Sequence, residues 1–309
     1  MKNIGYDRPL FIQPFDHRGS FTKGFFGLSG QPEIAVGHDQ HNPVAEAKTL
    51  VYRGLLQAIE MGVPKETVGI LIDTQFGSHI VADAKDKGIS VAVCVEKSGQ
   101  PIFDFEYGAA WQDHLRFVRP DIVKVLVRHH PEVDEAGRRE QMTRLRQISD
   151  FVHAHDDTYF MFELLVPAGT EEDKALGDRY DVERRPKLMV EAIREIQDFG
   201  IEPDIWKIEG LDREEDARAV AAQTRSGKGR EQVGNILLGR GSDKESVHRW
   251  LKVAAPLDGY IGFAVGRTNF KTALQTYLAA PSAEAADTAI RTIAENYKGC
   301  VDVWQTARG

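Results

Sequence analysis

Short apolar runs alternate with longer amphipathic segments along most of the chain. The apolar runs have the length and composition of β-strands and lie near 10–15, 68–73, 90–96, 121–127, 158–164, 203–208, 234–238 and 259–264. Between them, apolar residues recur with the spacing of an amphipathic helix, for example in 45–61, 138–155, 184–199, 214–223 and 244–255. Repeated strand-then-helix units predict a parallel sheet with right-handed crossover connections.

The number of these units indicates how the sheet is organised. Eight units within 309 residues, with no Gly/Ser/Pro-rich linker, predict a single-domain α/β protein that closes into a (β/α)8 TIM barrel spanning 1–309. We expect an additional helix near 283–298 to pack on the outside of this barrel. An open dinucleotide-binding sheet would instead need a G-x-G-x-x-G turn after its first strand, where this chain has Asp16-His17-Arg18-Gly19-Ser20.

Composition narrows the classes of protein to which the chain can belong. With 42% hydrophobic and 28% charged residues it matches ordinary globular proteins, and a net charge of −8 argues against a nucleic-acid surface. Cys94 and Cys300 form no Cys-x-x-Cys pair, so neither a zinc ribbon nor a disulfide framework is supported. The first ten residues are polar, and no run approaches the roughly 18 apolar residues of a membrane span. We expect a cytoplasmic protein that binds neither nucleic acid nor membrane.

The most informative candidate residue is a lysine within the sixth apolar run. Lys207 shares a face with Ile205 and Glu209, which parity places inside the predicted barrel, while Trp206 and Ile208 face outward. Burial disfavours the charged form of an amine, and a neutral amine can attack a carbonyl carbon. Lys207 is therefore a candidate Schiff-base nucleophile.

Two further ionisable side chains lie on the inner faces of the neighbouring strands. Lys124 shares a face with Ile122 on the fourth strand, and Glu163 shares a face with Met161 on the fifth. Adjacent parallel strands lie about 4.8 Å apart, so Lys124, Glu163 and Lys207 can converge on one small molecule at the carboxyl end of the barrel. There the Lys124 ammonium would repel a charge on Lys207, and Glu163 would carry protons or neutralise Lys124. The plainer alternative is a structural Lys124–Glu163 salt bridge, with Lys207 extending to the rim.

The segments that follow the other strands supply candidate binding residues. After the first two strands, polar side chains suited to substrate hydroxyls or anions predict a substrate site formed by Asp16, His17, Arg18 and Gln75. After the seventh and eighth strands, glycines let backbone N–H groups approach an anion, and arginines supply a guanidinium. Because barrel proteins hold phosphate at these two loops, we predict a phosphate site formed by Gly239, Arg240, Gly241, Gly266 and Arg267.

Together these residues form a pattern that resembles a known group of enzymes. The segments that resemble class I aldolases of the tagatose-1,6-bisphosphate aldolase kind are Asp16-His17-Arg18-Gly19-Ser20, Val123-Lys124-Val125-Leu126, Phe162-Glu163-Leu164, Trp206-Lys207-Ile208-Glu209 and Gly266-Arg267. Nearly the whole chain looks like the aldolase-like domain that is fused behind a sugar kinase in bacterial inositol catabolism. One departure is His17, because the tagatose-type pattern has Gln at this position.

The resemblance implies a Schiff-base aldolase, an aldehyde-lyase that uses neither a metal ion nor another cofactor. Lys207 would match the imine-forming lysine, with Lys124 and Glu163 as the charged pair beside it. The inositol-pathway relatives imply 2-deoxy-5-keto-D-gluconate 6-phosphate as the substrate, cleaved to dihydroxyacetone phosphate and malonate semialdehyde. Tagatose 1,6-bisphosphate and sulfofructose 1-phosphate are alternative substrates. Barrel enzymes of this kind are often homo-oligomers, and we expect the same here.

Two other kinds of protein compete with this interpretation. A metal-dependent aldolase would use a Lewis acid held by histidine and carboxylate ligands, for which His17, His129 and His130 are candidates. However, adjacent residues of a strand face opposite sides, and no His-x-x-x-His helix pair is present. A non-catalytic sugar-phosphate sensor would keep the anion site but would have no reason to bury a reactive amine.

Overall fold

Eight parallel strands close into a barrel in chain order, β1 to β8, in a computed structural model that describes residues 4–28, 42–155 and 157–309. The strands are Leu10–Pro14 (β1), Val68–Ile72 (β2), Ser90–Cys94 (β3), Ile122–Arg128 (β4), Tyr159–Leu165 (β5), Ile205–Glu209 (β6), Gly234–Leu238 (β7) and Tyr260–Ala264 (β8). Each lies within two residues of a predicted strand. The prediction of a single-domain (β/α)8 barrel is confirmed.

Helices connect the strands and surround the barrel. Within the described residues they are Gly19–Phe26 (α1), Pro43–Glu60 (α2), Thr74–Asp86 (α3), Trp111–Val118 (α4), Glu135–His153 (α5), Glu171–Ala175 (α6), Tyr180–Glu183 (α7), Arg185–Asp198 (α8), Glu214–Thr224 (α9), Lys244–Ala254 (α10), Arg267–Ala279 (α11) and Ala283–Arg308 (α12). Side chains of Asn42, Asp73, Asp243 and Ser282 accept backbone N–H bonds in the first turns of α2, α3, α10 and α12, which fixes where these helices begin. None of the helices described here has both the length and the apolar composition to cross a membrane.

The interior of the barrel has an apolar layer and an ionic layer. The apolar layer is formed by Tyr6, Leu10, Ile12, Leu71, Ala92, Ile122, Met161, Ile205, Ile236 and Ala264. Two residues further along their strands, Lys124, Glu163 and Lys207 continue the same inner face and are buried. The intervening residue of each strand faces the helices, as Phe162 and Trp206 do with ring centroids 5.0 Å apart. Strand parity therefore places the ionic layer directly towards the carboxyl ends of the strands.

The C-terminal helix α12 covers the junction at which β1 meets β8. Its Tyr297 hydroxyl donates a hydrogen bond to the carbonyl of Phe11 at 2.7 Å, and Trp304 packs against the rings of Phe11 and Phe263. The helix continues ten residues beyond the predicted end near 298, because Val301 and Trp304 extend its buried apolar face. This helix therefore holds the two edges of the barrel together.

Candidate active site

Lys124 on β4 is the centre of the ionic layer and is fully buried. Its Nζ donates hydrogen bonds to Asp16 Oδ2 at 2.8 Å and to Glu96 Oε1 at 2.7 Å, and it lies 2.8 Å from Glu163 Oε2. Lys124 thus donates to two carboxyl groups and forms an ion pair with a third, which holds these side chains in place, and its fully buried side chain lines neither cavity described below. Glu96 is absent from the predicted site, although its position two residues beyond β3 is the signal that could have identified it.

Glu163 joins Lys124 to Lys207. The register of the barrel pairs Glu163 with Lys207 directly across β5 and β6, and Lys207 Nζ lies 2.7 Å from Glu163 Oε1. The Lys207 side chain is only 4% exposed, so it does not extend to solvent. The Lys124–Glu163 salt bridge considered from the sequence is present, and Glu163 separates the two ammonium groups that were expected to act on each other directly.

Burial and pairing together set the protonation states of this network. Burial disfavours ionisation of Asp16 and Glu163, but the ammonium groups of Lys124 and Lys207 outweigh it and lower the pKa of both carboxyls. At Glu96, burial prevails with help from the Asp16 carboxylate, and the pKa is raised. Burial also opposes the charged form of Lys124, yet the surrounding carboxylates raise its pKa well above the usual range. Of the three carboxyl groups around Lys124, Glu96 is therefore the one whose ionised form the fold disfavours.

A cleft crosses the carboxyl end of the barrel above these side chains. It consists of two adjoining cavities: the β3 cavity, of about 500 Å³, over the ends of β1, β3 and β4, and the β8 cavity, of about 350 Å³, over the ends of β5 to β8. Both cavities are lined by His17, Ser20, Leu126, Arg128 and Glu163. Asp16 and Glu96 line the β3 cavity, and Lys207 lines the β8 cavity. The predicted catalytic residues are thus brought together beneath one cleft.

The three polar residues after β1 all reach the cleft but have different partners. Asp16 Oδ1 has no hydrogen-bond partner among the described residues and lies 3.7 Å from His17 Nδ1, which leaves it available to a substrate hydroxyl. Burial in the cleft lowers the pKa of His17 to about 4, so its imidazole is neutral at pH 7. Arg18 donates to Glu106 Oε2 at 2.7 Å and to the carbonyl of Glu96. Its guanidinium therefore positions the loop that carries Glu96.

Gln75 lies away from these residues. It is the second residue of α3 and does not line either cavity of the cleft. The neighbouring Asp73 caps this helix through the N–H of Phe76 and pairs with the buried Lys48. The structure therefore brings Asp16, His17 and Arg18 together but not Gln75.

All five predicted phosphate-binding residues line the β8 cavity. A Cβ atom at Gly266 would lie 2.4 Å from the carbonyl oxygen of Pro14, and one at Gly241, where φ is +77°, would lie 3.0 Å from the Arg267 guanidinium. Only glycine allows these close approaches. Arg240 is already paired with Asp181 at 2.9 Å and with Glu209 at 3.1 Å, whereas Arg267 donates only to the carbonyl of Arg240 within the part of the chain that is described.

The candidate metal ligands are not assembled as the metal-dependent alternative requires. His129 contacts Glu195 at 2.9 Å, and His130 contacts Asp173 at 2.7 Å. Among the described residues, the group within ligating distance of one another is Asp16, Cys94 and Glu96, and both carboxyl groups accept hydrogen bonds from Lys124. The Lys124 ammonium thus already pairs with the carboxylates to which a cation would bind. Burial also raises the pKa of the Cys94 thiol, which disfavours the thiolate that would bind a metal.

Solved structures share this architecture, which defines the chain as a TIM-barrel protein with its candidate site at the carboxyl ends of the strands. Fructose-bisphosphate aldolase from Plasmodium falciparum, in complex with TRAP and a small-molecule inhibitor, matches with a TM-score of 0.64 and 10% identity over 98% of each chain. A structural-genomics target from Corynebacterium glutamicum matches with a TM-score of 0.52 and 18% identity, over 95% of this chain and 88% of the other. At these identities the similarity shows the fold alone.

The family comparison places the chain more closely. The chain belongs to the DUF2090 family, which is described as "Uncharacterized protein conserved in bacteria" and whose model matches residues 8–308. No curated protein matches the chain.

Proposed function

We propose that the protein is a Schiff-base aldolase that cleaves a phosphorylated keto sugar, with 2-deoxy-5-keto-D-gluconate 6-phosphate as the first candidate substrate. The observation that carries this proposal is the position of Lys207, whose amine lines the β8 cavity 2.7 Å from Glu163 Oε1. A lysine held beside a carboxylate in a cleft has both the nucleophile and the base that imine formation needs. The resemblance to class I aldolases supports the same assignment.

Imine formation follows from the Lys207–Glu163 pair. Glu163 accepts a proton from the Lys207 ammonium, and the neutral amine then attacks the substrate ketone to form a C–N bond. The former carbonyl oxygen receives one proton from this nitrogen and a second from Glu163, and it leaves as water. The products are an iminium ion on Lys207 and the original Glu163 carboxylate. Lys124 acts as a positioning residue, because it keeps Glu163 oriented without contacting the substrate.

Cleavage needs a group that holds the substrate hydroxyl. Asp16 lines the β3 cavity, and its buried Oδ1 has no described hydrogen-bond partner, so it can accept the hydrogen bond of the hydroxyl beside the scissile bond. When that bond breaks, its electrons enter the iminium to form an enamine, and the hydroxyl carbon leaves as an aldehyde. The hydroxyl loses one proton as the aldehyde forms, and the enamine carbon takes up one proton afterwards, so the two steps together neither gain nor lose a proton. Hydrolysis then releases the ketone product and regenerates Lys207.

Trapping the imine tests the proposal directly. The protein is incubated with dihydroxyacetone phosphate, reduced with borohydride, digested and analysed by peptide mass spectrometry. We expect a covalent adduct on Lys207 that depends on the ligand and is lost in Lys207→Ala. Lys187→Ala, which removes an exposed lysine of α8, is the matched control and should be trapped like the wild type. Full activity in Lys207→Ala, or an adduct only at another lysine, would refute the assignment.

A cleavage panel identifies the substrate and separates the competing functions. Release of dihydroxyacetone phosphate is measured with 2-deoxy-5-keto-D-gluconate 6-phosphate, tagatose 1,6-bisphosphate and sulfofructose 1-phosphate. We expect turnover of at least one of them, and turnover that persists in the presence of a chelator. Loss of turnover with the chelator would instead favour a metal-dependent aldolase. Thermal stabilisation by these ligands with neither turnover nor a trapped imine would favour a non-catalytic sensor.

A further inference from the structure

The arginines of the cleft fall into two classes by their partners. Arg18 and Arg240 are neutralised by carboxylates, Glu106 in one case and Asp181 with Glu209 in the other. Arg128 and Arg267 differ, because within the described ranges each guanidinium donates only to a backbone carbonyl: Arg128 to Gln100 at 3.3 Å and Arg267 to Arg240 at 3.0 Å. Two guanidinium groups thus line the cleft without a described counter-charge. Arg267 belongs to the phosphate site proposed above, and Arg128 has no assigned ligand.

Arg128 and Arg267 lie on opposite sides of Lys207. Lys207 is on β6, Arg128 is the last residue of β4, and Arg267 follows β8 as the first residue of α11. In the closed barrel β4 and β8 are each two strands away from β6, which corresponds to about 10 Å on either side. The strands next to which the two guanidinium groups stand therefore flank the strand of the reactive amine.

The orientation of Arg128 directs it into the cleft. On β4 it shares the inner face with Lys124 and Leu126, and it lines both the β3 and the β8 cavity. Leu126 lies level with Glu163, so Arg128 stands two residues, or about 7 Å, nearer the mouth of the cleft. Its side chain is exposed there, opposite a loop in which Lys97 is a second exposed cation lining the β3 cavity.

We propose that Arg128 binds a second anionic group of the substrate. The inference rests on the proposed function, because it takes Lys207 as the residue that fixes the carbonyl carbon. A keto sugar with its ketone at Lys207 and its phosphate at Arg267 extends its other end towards β4. An anion there, four or five bonds from the ketone, reaches Arg128, whose planar fork suits a carboxylate, phosphate or sulfonate. This group departs with the aldehyde fragment, so Arg128 selects the aldehyde half of the substrate.

A matched pair of substrates tests this selection. Tagatose 1,6-bisphosphate and tagatose 1-phosphate differ only in the second phosphate, and 2-deoxy-5-keto-D-gluconate 6-phosphate carries a carboxylate in its place. Arg128→Met should raise KM roughly 10- to 100-fold for the doubly anionic substrate that the wild type cleaves best, the loss expected for a charged hydrogen-bonded pair. For tagatose 1-phosphate its effect should be less than about threefold. Arg267→Met should raise KM for both kinds of substrate.

Control measurements separate this inference from the proposed function. Arg139→Met removes an arginine of α5 that is 69% exposed and lies outside the cleft, and it should leave every KM unchanged. If wild-type protein forms no imine with dihydroxyacetone phosphate, the proposed function fails and this inference fails with it. If the imine forms but Arg128→Met affects both tagatose phosphates equally, or neither, only the second anion site is refuted. Preference of the wild type for tagatose 1-phosphate over every doubly anionic substrate would also refute it.

Discussion

Separate replacement of Glu96 and Glu163 by Gln compares two carboxyl groups of one network whose pKa values are shifted in opposite directions. Both side chains contact Lys124, at 2.7 Å and 2.8 Å. Because burial and the Asp16 carboxylate raise the pKa of Glu96, Glu96→Gln removes a carboxyl group whose ionised form the fold already disfavours. Glu163→Gln removes the carboxylate that Lys124 and Lys207 share. Lys124 keeps Asp16, but Lys207 is left with no carboxylate partner among the described residues.

The two replacements should therefore differ in their effect on stability. Attraction across 2.8 Å at an effective dielectric constant of 20 amounts to about 6 kcal/mol per contact, from which the desolvation of both groups must be subtracted. Removing one partner of a buried ion pair costs about 3 to 5 kcal/mol, because the remaining charge stays buried. We expect Glu163→Gln to lower the free energy of unfolding by that amount at pH 7. For Glu96→Gln we expect a smaller loss, because the fold disfavours the ionised form that is removed and Lys124 keeps Asp16 and Glu163 as partners.

Urea denaturation followed by tryptophan fluorescence measures both effects, and their pH dependence checks the reasoning. Glu163 has a lowered pKa, so its contribution to the free energy of unfolding is present above the ordinary glutamate pKa of 4.5 and is lost as the pH falls. The stability difference between the wild type and Glu163→Gln should therefore shrink in acid. Glu96 has a raised pKa, so its contribution to the free energy of unfolding is fully present below pH 4.5 and is lost as the pH rises through the folded-state pKa. The stability of Glu96→Gln relative to the wild type should therefore increase with rising pH. Equal losses for the two variants at every pH would refute the opposite shifts of the two pKa values.

Two further replacements test other parts of the structure. Burial lowers the pKa of His17 to about 4, so the wild type should lose stability relative to His17→Gln as the pH falls from about 6.5 towards 4. Urea titrations measure this difference in the free energy of unfolding, and a difference that stays constant over this pH range would contradict the neutral imidazole. A Cβ atom at Gly262 would lie 1.9 Å from the carbonyl oxygen of Leu10, so Gly262→Ala should lower the free energy of unfolding by about 2 kcal/mol or more. The control is Gly299→Ala on α12, where a Cβ atom would lie in open space, and this variant should be neutral or stabilising. Equal melting temperatures for these two variants would show that the contact between β8 and β1 can adjust.

The barrel and the inward direction of the site residues could be predicted because both depend on short-range patterns. Alternation with a period of two places Lys207 beside Ile205 whatever the rest of the chain does. Glycine and arginine after β7 and β8 predict an anion site through local backbone requirements, and all five of those residues line the cleft.

The pairing of charges could not be predicted in the same way. Which carboxylate pairs with which cation depends on strand register and loop conformation. The ion pair between Arg18 and Glu106, 88 residues away, therefore could not be predicted from the local sequence. The same holds for Arg240, whose partner Asp181 comes from α7, a helix 59 residues earlier in the chain. Glu96 follows β3 and could have been added to the predicted site on that ground, but its pairing with Lys124 depends on the register of β3 against β4.

The contact of α12 with the junction of β1 and β8 links assembly of the candidate site to the completion of folding. The hydrogen bond from Tyr297 to Phe11 joins residues 286 positions apart, and contacts of such long range form late because the loop entropy must be overcome first. Asp16 follows β1 and meets Lys124 on β4 only when the first strand is docked in the barrel. In a refolding experiment, recovery of the proposed imine on Lys207 should therefore lag behind recovery of helical signal, so that imine formation would report when the barrel has closed.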